Sequence, residues 1–183
     1  MQRRNWLYGI VIFLLMTACV SEPEYPNTPA IFFENAFRSP GAIANLDSVT
    51  LAISFQDGDG DLGLSPTNAS DMMPPFQDLN PDGTLNKFRN NIFVTLQVNR
   101  DGVFETVELP DGQGFDGRFP PLNTIDQETA LEGTIRYRLG IFYGVFGSPI
   151  NAGDQIRFEI QIADRSLNES NIIQTPVLEV GQP

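Results

Sequence analysis

The chain has 183 residues, 11 of them basic and 23 acidic, for a formal net charge of −12 with no histidine. So acidic a polypeptide repels nucleic acid and anionic lipid surfaces. Without histidine, Ser-His-Asp and Cys-His catalysis and the common zinc and iron sites are excluded, which leaves carboxylate chemistry as the route open to an enzyme.

In chain order, Arg3 and Arg4 precede an apolar run from Trp6 to Met16. That run is shorter than the roughly 20 residues a membrane span needs, and it has the form of an export segment. It stops at Met16-Thr17-Ala18-Cys19, with small residues ahead of the chain's only cysteine. MTAC followed by VSEPEYP resembles a bacterial lipoprotein signal. The resemblance implies a signal peptide over residues 1–18, and a lipid on Cys19 that ties the protein to a membrane. A chain starting at Cys19 would keep 9 basic residues against 23 acidic ones, a net charge of −14, and no thiol for a disulfide. Its stability would rest on core packing and a metal.

Residues 19–29 read as a lipidated tether. Val20 to Pro29 holds three prolines and two glutamates, and an extended segment of this kind reaches roughly 30 Å at about 3.1 Å per residue. Acidic residues just after the cysteine resemble the export signal of Bacteroidota lipoproteins, which implies the outer membrane and display at the cell surface.

From residue 30 to 183 the punctuation is that of one all-β domain. Strands are expected at Ile31 to Phe37, Ser48 to Gln56, Ile92 to Val98, Gly102 to Leu109, Thr134 to Val145 (bent near Gly140), Gln155 to Ala163 and Ile172 to Val180. Asn99-Arg100-Asp101-Gly102 reads as a hairpin turn. Seven short strands with no helical periodicity suggest a single Ig-like or fibronectin-type antiparallel β-sandwich. A jelly roll is the other arrangement that the pattern allows. The stretch from Ile160 to Asn171 resembles the end of many bacterial Ig-like domains, although the tryptophan and paired cysteines of antibody domains are missing.

If consecutive strands alternate in direction, connections two, four and six share one pole of the sandwich. The first two of these, Asp57 to Asn91 and Pro110 to Gly133, are 35 and 24 residues long, beyond the roughly 12–15 of ordinary structureless loops. Their apolar residues, Met72, Met73 and Phe76 in one and Phe115 and Phe119 in the other, are candidates for contact with a partner. Arg118 is expected to pair with an acidic neighbour.

Connection two opens with Asp57-Gly-Asp59-Gly-Asp61-Leu-Gly, and no cation occurs between Asp57 and Ser70. Three carboxylates in one turn repel each other by several terms of about 1 kcal/mol. Calcium, which accepts six to eight oxygens in flexible geometry, removes that repulsion. The loop resembles an EF-hand only in part: Asp57, Asp59 and Asp61 match its first, third and fifth positions. Leu62 stands in place of the turn glycine and Asn68 in place of the bidentate glutamate, and a strand precedes the loop instead of a helix. DGDGDLG after a strand is similar to a loop in outer-membrane lipoproteins of Bacteroidota with an Ig-like domain, a likeness that brings no activity with it. By loop parity, Asp164 completes the calcium site together with Asn168, and Asn171 lies at the same pole.

The sequence therefore points to a non-enzymatic outer-membrane lipoprotein, a calcium-stabilised interaction module or accessory subunit of an envelope complex. The alternative is a glycan-binding lipoprotein of a polysaccharide-capture system, its loop aromatics stacking on sugar. A third reading is a hydrolase with two loop carboxylates about 5–9 Å apart across an open cleft.

Overall fold

Alternation between apolar and polar residues at 46–57 becomes the central strand of the first sheet in the computed structural model, which describes residues 23–109, 114–123 and 127–181. Cys19 and the export segment lie outside the described residues. The strands are β1 (Ala30–Pro40), β2 (Leu46–Asp57), β3 (Ile92–Arg100), β4 (Val103–Thr106), β5 (Leu131–Phe142), β6 (Gln155–Ile162), β7 (Ile173–Gln174) and β8 (Leu178–Glu179). One sheet has the order β1-β2-β5 and the other β4-β3-β6-β7, with β8 also paired to β6. Every pairing is antiparallel, and the chain is an Ig-like, fibronectin-type β-sandwich.

The inner faces follow from the two-residue period of a strand. Val49, Leu51, Ile53 and Phe55 of β2 join Ile135, Leu139 and Ile141 of β5 on one side of the core. Across from them lie Ile92, Val94, Leu96 and Val98 of β3 and Ile156, Phe158, Ile160 and Ile162 of β6. Truncating one of these fully buried side chains to alanine costs about 2–5 kcal/mol.

Three boundaries depart from the sequence reading. The strand expected to reach Val145 ends at Phe142, and Val145 and Phe146 are exposed in the turn beyond it. The expected fourth strand is shortened to residues 103–106, with one further bond from Val107 N–H to Leu96 O. The last strand is two short pieces, because Pro176 has no N–H to give to the ladder. The hairpin at 99–102 forms as expected: Asp101 and Gly102 have φ of 54° and 90°, and Gly102 N–H donates to Asn99 Oδ1.

Connections two, four and six meet at one pole. Leu64 N–H donates to the Phe119 carbonyl and Leu122 N–H to that of Leu62, while Ser166 donates to Asp61. At the opposite pole, Asn45 Nδ2 donates to Tyr143 O and Arg100 to Pro149 O.

Candidate metal centre

Asp57 is the last residue of β2 and falls on its inward-facing register, so the alternation that buries Val49 to Phe55 also carries a carboxylate inside. The residue is fully buried. Its neighbours bend back toward it: carboxylate oxygens of Asp57, Asp59 and Asp61 all lie within 4.8 Å of one another. Among the described residues, both oxygens of Asp57 and one oxygen each of Asp59 and Asp61 are buried without a hydrogen-bond donor. Unit charges this close repel by about 3 kcal/mol at an effective dielectric constant near 20, and a buried carboxylate without a donor is costly again.

Asp57 is pushed up to about 7. Burial is the main cause, followed by the charges of Asp59, Asp61 and Asp164; the nearby Gly60 amide pulls weakly the other way. Asp164, also buried, is raised chiefly by burial. It borders the cluster instead of joining the closest group of three, and its oxygens accept from the backbone N–H and side-chain Nδ2 of Asn168. The sequence-derived set is thus brought together in two layers, with Asn168 orienting Asp164. Asn171 has a different role: its side-chain amide pairs with both backbone groups of Ile31 and joins β1 to the sixth connection.

Among the described residues, no cation forms an ion pair with the three clustered carboxylates. Arg165, next in sequence to Asp164, directs its guanidinium to both oxygens of the buried Asp71. That contact holds Asp71 down at about 2, the Arg165 hydrogen bond being the largest cause. Arg118 does not pair with a carboxylate, contrary to expectation. It donates to the carbonyls of Arg89, Asp71 and Phe76 and so staples connection two to connection four. Asp71 and this arginine clasp gave no sequence signal, because their partners are backbone carbonyls or lie 94 residues away.

Glycines in the loop let three stretches of backbone cross it, and a fourth bonds to Asp61. A Cβ on Gly58 would lie 2.2 Å from Tyr25 O, and Gly58 N–H donates to Pro26 O at 2.9 Å. Gly60, at φ +70°, lies under Thr129 O, and Gly63 under Pro120 and Pro121. Asp61 O accepts from Arg165 N–H. The end of the segment read as a free tether is therefore packed on the acidic loop, with Tyr25 donating its hydroxyl to Glu132. Leu62, which departs from the EF-hand pattern, is a core residue.

Of the five candidates for partner contact, Phe76 and Phe119 are buried and Phe115 packs edge-on against Phe158. Phe76 and Phe119 anchor the long loops and are closed to a surface partner, whereas Phe115 is half-buried. Met72 and Met73 remain exposed, 47% and 61%. No protein-family model, curated protein or solved structure matches the chain.

Proposed function

We propose that the protein is a non-enzymatic lipoprotein of the outer membrane, anchored at Cys19, whose sandwich is held in its binding form by one calcium ion. The observation that carries the reading is the buried, donorless carboxylate of Asp57 at the centre of two further aspartates. Calcium suits this set on chemical grounds. Its ligands are hard oxygens at about 2.3–2.6 Å, so two oxygens on one ion lie at most about 5 Å apart, a limit the cluster meets. Asp57, Asp59 and Asp61 would supply first ligands, and Asp164, positioned by Asn168, the balancing charge. Met72 and Met73 offer adaptable apolar contact near this pole to a partner in an envelope complex. A hydrolase is disfavoured because the three carboxyls converge on one point, around the buried Asp57, instead of flanking a cleft. Phe76 and Phe119 are core residues, which leaves the half-buried Phe115 as the candidate loop aromatic for sugar in the glycan-binding alternative.

Calorimetric titration of EDTA-treated protein with calcium tests the reading. Saturable heat and a raised melting temperature at millimolar calcium are expected; neither heat nor shift would defeat it. Labelling cells with a radioactive fatty acid tests the anchor: the native chain should be labelled and C19S should not.

A further inference from the structure

The outward face of the β1-β2-β5 sheet is not uniform. β2 presents Ser48, Thr50, Ala52 and Ser54 there, and is flanked by Phe32 and Phe37 of β1 and by Arg136 and Arg138 of β5. Phe37, Thr50 and Arg138 share one row across the sheet, and Ser39, Ser48 and Gly140 the next. Small central residues between larger ones leave a shallow depression of about 600 Å³, with Ser39, Ser48, Thr50, Arg138 and Gly140 among its lining. Phe37 beside it is 55% exposed.

Its polar groups have no intramolecular use. Among the described residues, the hydroxyls of Ser39, Ser48 and Thr50 have no hydrogen-bond partner, and neither Arg136 nor Arg138 pairs with a carboxylate. Most other cations of this acidic chain are committed: Arg38, Lys87, Arg100 and Arg165 to carboxylates, Arg118 to carbonyls, and Arg157 to Gln97 and the Phe104 ring. The two carboxylates of this face lie toward the acidic pole and are occupied, Glu34 by Thr134 and Glu132 by Tyr25.

We propose that this depression binds an acidic saccharide, one whose sugars carry carboxylates. The guanidinium of Arg138, with Arg136 about 7 Å further along the strand, matches carboxylate in charge and fork geometry. Ser39, Ser48 and Thr50 can both donate to and accept from sugar hydroxyls. The exposed ring of Phe37 gives an apolar wall for the C–H face of a pyranose. An extended peptide is the poorer fit, because peptides add to sheets through free backbone edges, and β2 is paired on both sides. The chain's own acidity does not forbid an anion here. The depression lies about 24 Å along β2 from Asp57, several times the Debye length of about 8 Å at physiological salt. The site stands independently of the metal centre.

The test is calorimetric titration of the calcium-loaded protein with a hyaluronan hexasaccharide, whose alternate sugars are glucuronates, and with neutral maltohexaose. Saturable binding of the first alone is expected, weakened at least tenfold by R138Q and by F37A while both variants keep the native melting temperature. Absence of hyaluronan binding at millimolar concentration, or equal binding by both variants, would overturn the proposal. So would equal competition by a hexaglutamate peptide, which would assign the surface to acidic protein segments.

Discussion

Asp47 and Asp57 stand at opposite ends of β2 on the same inward register, and both are buried. Asp47 has Arg38 Nη1 at 2.8 Å and the backbone N–H of Gly181 at 2.8 Å, so its charge is matched and its oxygens are bonded. Asp57 has two more carboxylates beside it and no donor. One strand thus contains its own control: the same residue, direction and burial, satisfied by protein at one end and left without a donor at the other.

Neutralising the unsatisfied end should therefore have opposite effects with and without metal. In EDTA at pH 8, D57N removes a buried charge and should raise stability by about 1–3 kcal/mol, or roughly 3–10 °C in melting temperature for a chain of this size. The same variant should lose the calcium-dependent rise. Differential scanning calorimetry with EDTA and with calcium reads both; a metal-free D57N less stable than the native chain would contradict the assignment.

The pH profile follows from the sign of each shift. Asp57 is raised in the fold to about 7, so between about pH 4 and 7 the folded chain keeps a proton that the unfolded chain has released. Metal-free stability should accordingly be greatest near pH 4 and decline as pH rises through 7. Asp71, lowered to about 2 by Arg165, works the other way: its contribution is present above about pH 4 and disappears as pH falls toward 2. Calcium should offset the loss accumulated between about pH 4 and 7, with its full effect above pH 7 and little below about pH 5. Melting curves from pH 3 to 9, with and without calcium, check this; a flat metal-free profile between 4 and 8 would count against it.

At Gly58 any side chain meets the backbone of Tyr25 and Pro26. G58A should release residues 23–29 from the loop, open the amide at position 58, which donates to Pro26 O in the native fold, to rapid hydrogen exchange, and weaken calcium binding, while exchange in β3 and β6 stays slow. Mass-spectrometric hydrogen exchange separates these regions. Unchanged protection of the amide at position 58 would show that the contact is dispensable.

R165A strips a buried aspartate of its cation and should cost about 3–5 kcal/mol, the range for breaking a buried pair by removing one partner. Adding D71N should recover part of that loss by removing the stranded charge. Urea unfolding of both variants measures the difference; equal destabilisation would assign the cost of R165A to its bond with Gly63 O instead.

Much of the architecture could be read from periodicity, because a strand buried on one face must alternate. The registers of β2, β3 and β6 were visible in Val49 to Phe55, Ile92 to Val98 and Ile156 to Ile162 for that reason. The pole where Asp57 and Asp164 meet followed from strand parity alone. Long loops gave less away. An aromatic such as Phe119 has the same hydrophobicity whether it serves as an anchor or a contact surface, and only the fold, with Asn91 clasping both backbone groups of Phe119, decides between them. The arginine-lined depression was invisible for another reason: Phe37, Thr50 and Arg138 are far apart in sequence and become neighbours only through two strand registers.

Backbone contact between Pro26 and Gly58 also has a mechanical meaning. Any pull transmitted along the chain from upstream of residue 25 arrives at the aspartate turn before it reaches the first rung of the β1–β2 ladder. Tension would thus load the aspartate turn ahead of the sandwich, and any cation held there would feel it first.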